Sequence, residues 1–224
     1  MQHVNTNKIF SPYATPYNLK YEDYASLFWQ WLVSIPKESN PHDDSTGKLA
    51  TNGQTMSTLP VFFLCIGSGE RPVIRKCHIP KGKGILIPLM VVELCYKEVK
   101  DRTNHTEDYL RRKCKKDQDS VTEMYLRIDN EEYKMEDLSK YRIRSTEPFV
   151  LTFPEKGIWN VSAGPTVGVA DGYYIISKPL QIGQHTIHWK SKLKCERNQN
   201  DSEDPGCLEP MLVQDIKYIL TIDN

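Results

Sequence analysis

Tyr21, Tyr24, Ala25, Phe28, Leu32 and Ile35 recur at intervals of three and four, with Glu22, Asp23, Ser26 and Gln30 on the other side. Residues three and four apart share a helix face, so this spacing predicts an amphipathic helix from Asn18 to Pro36. Asn18 is its expected cap, the two acids favour its positive end, and Pro36 stops it. A long loop from Asn40 to Ser57 follows, rich in residues that start turns. Beyond it the apolar runs are short and rich in β-branched residues, predicting strands at 59–66, 73–79, 84–94, 121–128, 141–145, 149–153, 172–178, 184–193 and 211–222. One interruption reads as a second, shorter helix: Thr106 can cap it, Glu107 and Asp108 open it, and the basic run 111–116 falls toward its carboxyl end.

Many strands, two helices and no βαβ rhythm predict a mainly β fold. The expected architecture is a two-sheet antiparallel sandwich, jelly-roll or immunoglobulin-like, with an aromatic N-terminal helix and one further short helix. Residues 18–224 form the expected single domain, and 1–17, rich in Asn, Thr, Pro and Tyr, an extended arm laid on its surface.

Charge removes whole classes of partner. Twenty-nine Lys and Arg balance twenty-nine Asp and Glu, so no overall field draws nucleic acid or an anionic membrane. The basic run 111–116 is followed at once by Asp117 and Asp119 and reads as a solvated helix face. The longest apolar run, 85–92, is about half a bilayer span and contains Pro88, so no transmembrane segment is expected. Residues 1–8 hold no apolar signal core; the expectation is an exported protein whose signal peptide is absent from this sequence.

That expectation rests on Cys65, Cys77, Cys95, Cys114, Cys195 and Cys207, an even set with no Cys-x-x-Cys pair. Cys195 and Cys207 bracket the most polar stretch of the chain, where a core thiol is out of place and a disulfide is in place. Cys65 and Cys77 flank Gly67-Ser68-Gly69-Glu70-Arg71-Pro72, so a hairpin centred there sets them opposite each other. Cys95 and Cys114 remain as a third pair by elimination. The alternative is a set of separate buried thiols. Sequons begin at Asn104, Asn160 and Asn200.

Trp29-Gln30-Trp31, Ser34-Ile35-Pro36, Asn40-Pro41, Thr46-Gly47 and Gly53-Gln54 open a pattern that continues through Arg75, Cys77, Ile79-Pro80, Gly82-Lys83 and Pro88. It ends in Asp171-Gly172-Tyr173, Lys178-Pro179-Leu180, Gly183 and His185-Thr186-Ile187-His188. Over residues 20–190 this resembles a family of uncharacterised exported bacterial and archaeal proteins. The resemblance implies export and a β-rich fold and supplies no mechanism. Members of that family place a cysteine soon after the Thr-Gly pair, where this chain has Leu49 and Ala50, which favours a local Cys65 bridge over a carried-over partner for Cys77.

Two functional readings follow. In the first, the chain is a non-catalytic extracytoplasmic module that binds a glycan, a surface component or another copy of itself. Its contact surface is the aromatic helix and the following loop: Trp29, Trp31, Asn40, Asp44 and Gln54. In the second, it is a metal-dependent enzyme in which His185, His188 and Glu93 hold zinc or a similar divalent ion. Residues three apart on a strand point to opposite faces, so the histidines share an ion only across a bulge. If 179–183 is a hairpin turn, His188 lies opposite Ile175 and Asp171 is on the order of 14 Å away. Glu93, ending the most apolar strand, is also a candidate general acid or base. No nucleophile elbow or phosphate loop is present in the sequence.

Overall fold

A computed structural model of the chain describes residues 7–54, 59–69, 72–100, 106–196, 206–208 and 211–224. Two five-stranded sheets pack as a sandwich. The first contains β1 (Val61–Phe63), β3 (Gly84–Cys95), β6 (Arg142–Arg144), β7 (Phe149–Phe153) and β8 (Gly164–Ser177). The second runs β2 (Val73–Pro80), β10 (Met211–Asp223), β9 (Gly183–Lys194), β4 (Val121–Ile128) and β5 (Glu131–Lys134). Three α-helices accompany them: α1 (Tyr21–Ser34), α2 (Glu107–Asp119) and the single turn α3 (Met135–Leu138).

Burial follows from which sheet face is covered. Phe28 of α1 meets Phe63 and Tyr174, placing this helix on the outer face of the first sheet. Leu110 and Cys114 of α2 pack with Val92, Leu94 and Val169 on the same sheet. Covered on both sides, β3 is buried along its whole length and reads as a continuous apolar run. In the second sheet β2 and β10 alternate buried with less buried positions.

The expected antiparallel sandwich is corrected in two places. β1 pairs with β3 in parallel, and so does β2 with β10, which makes both sheets mixed. Consequently β1 and β2 form no hairpin: they lie in different sheets. The same holds for 178–182, since β8 and β9 lie in different sheets. The strand register slips between Pro88 and Met90, because proline cannot donate to the ladder. Leu89, left out of the pairing, offers its carbonyl to the hydroxyl of Ser191 on β9, a hydrogen bond between the two sheets.

The N-terminal segment is partly built into the fold. Ile9 is buried and forms an antiparallel bridge with Ser177, and Lys178 N donates to Lys8 O at 2.7 Å. The first helix starts later than expected: Asn18 precedes it in a left-handed conformation, and Asp23 receives the backbone N–H of Lys20 at 2.9 Å. Thr106 caps α2 as its sequence predicts, accepting from Tyr109 N at 3.2 Å.

Cys195 and Cys207 are joined in a disulfide. Cys65, Cys77, Cys95 and Cys114 are buried thiols, so the two other expected bridges are corrected. Without a hairpin, Cys65 and Cys77 have no reason to face each other. Cys114 packs with Val92 and Leu94, whereas Cys95 belongs to the main core, and odd and even positions of a strand project to opposite faces. Of the sequons, Asn160 is exposed; Asn104 and Asn200 lie outside the described residues.

Candidate functional site

The residues expected to form a recognition surface are structural. Trp31 is 1% exposed and donates to Asn52 O, and Trp29 is 2% exposed and donates to the Tyr174 hydroxyl at 2.8 Å. Asn40 closes α1: its Nδ2 donates to the carbonyls of Leu32 and Ile35, which have no partner within the helix. Asp44 organises the next turn by accepting from Thr46 N at 2.7 Å and Leu49 N at 2.8 Å. The Gln54 amide covers the free edge of β1, donating to Phe63 O at 2.7 Å and accepting from Phe63 N at 3.1 Å. Each polar group expected to meet a ligand is occupied by the backbone.

Arg75 holds this loop down. Buried in β2, it donates to the carbonyls of His42, Asp44, Cys65 and Ile66 and to the Tyr218 hydroxyl. Lys76 N donates to Thr46 O at 2.8 Å, and a side chain on Gly47 (φ +90°) would meet that Lys76 backbone at 2.4 Å. Only glycine tolerates both the dihedral and the approach.

The expected histidine centre does not assemble. His185 Nδ1 lies 2.8 Å from Asp129 Oδ2, and His188 Nε2 lies 2.8 Å from Asp215 Oδ1. β9 pairs with β10 without a bulge through this segment, so the two rings project to opposite faces. Opposite His188 stand Lys217 and Arg127, and Asp171 is engaged by Arg142. Glu93 belongs to the other sheet.

Glu93 instead lies in a cleft of about 530 Å³ at the carboxyl end of β3. Other grooves are larger, one by Lys37 and Lys156 reaching about 770 Å³, so chemistry sets this one apart. Its mouth carries Trp159, 40% exposed and held at φ 60°, a left-handed conformation that costs a non-glycine residue energy and concentrates at binding sites. Trp159 is braced by Trp29 at 6.0 Å between ring centroids and by His42, edge-on, at 5.5 Å. Ile66, Gly67, Ser68 and Leu212 supply other parts of the wall.

At the floor stand Glu93 and Glu98. Both Glu93 oxygens are buried and receive no N–H donor. Burial, and then the Glu98 charge, push the Glu93 carboxyl well above the usual range. Burial also raises Glu98, against hydrogen bonds from Cys95, whose N–H it accepts at 2.9 Å. Burial lowers His42, partly offset by Asp43, so its ring is neutral near pH 7.

Sequence reasoning named Glu93 but not Glu98, His42 or Trp159. The available signals were the Glu-x-Cys-x-x-Glu spacing at 93–98 and a tryptophan inside the turn-rich 154–162 segment.

No protein-family model and no curated protein matches the chain. Among solved structures, a cysteine protease inhibitor from Entamoeba histolytica aligns at 12% identity over 73% of this chain and 96% of its own, with a TM-score of 0.23. A superposition that loose carries no argument about fold or activity.

Proposed function

We propose that this protein is a non-catalytic, disulfide-stabilised extracytoplasmic binding module, and that its ligand is a glycan seated in the cleft beneath Trp159. The observation that carries this reading is Trp159 itself: a large aromatic kept exposed in a strained backbone at the mouth of a cavity. A tryptophan face takes the apolar side of a sugar ring. The cavity volume falls within the roughly 300–1,000 Å³ of small-ligand sites. The Cys195–Cys207 bridge supports an oxidising compartment. No described helix is long and apolar enough to cross a membrane.

Glycan-array binding with the wild-type protein and Trp159→Ala tests the proposal. Binding to a defined set of glycans, lost in the variant while its melting temperature is kept, supports it. A protein that binds no glycan, or binds equally well without the indole, overturns it; concentration-dependent dimerisation in sedimentation velocity would instead assign the surface to self-association.

A further inference from the structure

We propose that Glu93, Cys95 and Glu98 form a binding site for one zinc ion at the floor of the cleft. Each residue offers one ligand atom, and the three atoms lie within 4.8 Å of one another. Their arrangement is imposed by the backbone. Glu93 and Cys95 stand two apart on β3 and share a face. The turn that follows, closed by Glu98 N donating to Cys95 O at 3.1 Å, brings Glu98 back onto the pair.

The independent sign of a missing partner is Glu93. It is 8% exposed, and neither of its buried oxygens has an N–H donor. A buried carboxylate left without a partner is costly, and a cation removes the deficit. The donor set then selects the ion. One thiolate beside two carboxylates suits zinc, whereas calcium and magnesium require six or more oxygens. Zinc takes sulfur at about 2.3 Å and oxygen at about 2.0–2.2 Å, so a tetrahedral ion spaces its ligand atoms by roughly 3.3–3.7 Å. On binding, the Cys95 proton, with any proton held between the carboxyls, passes to bulk water. Three protein ligands leave a fourth position open, as in non-structural zinc sites. Glu93 and Glu98 line the cleft, which gives the ion its entry path.

Asp117, Cys195 and Cys207 are as closely grouped, but their sulfurs are committed to the disulfide and offer no thiolate. The zinc proposal does not depend on the glycan reading, because the probe is the metal alone.

The test uses metal-free full-length protein titrated with cobalt(II) and zinc(II). One equivalent of cobalt should bind with a thiolate-to-metal charge-transfer band that zinc abolishes. Cys95→Ser should erase the band, and Glu93→Gln should weaken zinc binding by more than about tenfold, the scale of even a lost supporting contact. Cys65→Ser, a buried thiol elsewhere, should retain the band. If Cys95→Ser fails to fold, the near-isosteric Glu93→Gln and Glu98→Gln decide the matter. No stoichiometric uptake, or uptake unaffected by these substitutions and lost instead in His188→Ala, overturns the proposal.

Discussion

Arg75 Nε donates to the main-chain carbonyl of Asp44 across 2.6 Å, fastening the loop after α1 to a strand thirty-one positions away. Among the described residues no carboxylate pairs with this buried guanidinium; backbone carbonyls and the Tyr218 ring, 5.6 Å away, take that place. Arg75→Met strands the carbonyls of His42, Asp44, Cys65 and Ile66, each costing about 1–3 kcal/mol when buried unpaired. The expected loss is therefore at least about 3 kcal/mol in urea unfolding. Lysine lacks the planar fork and should not rescue it. Variants within about 1 kcal/mol of wild type would refute this role.

Thiol titration separates the structure from the fully bridged alternative. Unfolded without reductant, the chain should expose the four thiols of Cys65, Cys77, Cys95 and Cys114; with reductant, six. Replacing the Cys195–Cys207 pair by serine should cost about 3 kcal/mol in the chain-entropy account, because it frees a loop of twelve positions. Zero titratable thiols before reduction would restore the other two bridges.

The extent of the elements was legible because periodicity records burial. α1, α2 and strands such as β4 and β7 fall within a few residues of their expected bounds. Partner choice was not legible. Gly67-Ser68-Gly69 has hairpin composition, yet Gln214 holds Gly67 and Tyr218 holds Cys65 just before it, and those two contacts come from about 150 positions away in the chain. Asn40, Asp44 and Gln54 show the same limit. Their amides and carboxylate satisfy backbone groups, and composition alone cannot separate that role from ligand contact. Glu98 and Trp159 entered the site through a turn and a strained loop, neither of which has a period to read.

Tryptophan substitutions should divide by position. Trp29→Ala and Trp31→Ala each remove a buried indole and its hydrogen bond, so each should cost about 3–5 kcal/mol. Trp159→Ala leaves an exposed site and should cost under about 1 kcal/mol. Thermal melts of the three variants are the check, and a Trp29 variant as stable as wild type would return that residue to the binding surface.

Stability should also carry a signature of the carboxyl pair. The folded protein holds the Glu93 proton more tightly than the unfolded chain does. Between the ordinary carboxylate pKa of about 4.3 and the raised folded value, the native state binds more protons, and stability falls as pH rises. His42 works the other way: its lowered folded pKa makes stability rise with pH up to about 6.5, after which its contribution is constant. The buried thiols, also raised by burial, add a downward slope only near and above their ordinary pKa of about 8.5, so the comparison is made below that. Glu93→Gln keeps the shape and removes the charge. Metal-free Glu93→Gln should be more stable than wild type near pH 8, with the gap narrowing toward about pH 4, where the wild-type carboxyl is protonated in both states. Urea unfolding at several pH values measures the gap, and a difference that stays constant with pH would show that Glu93 is not a strained acid in the native fold.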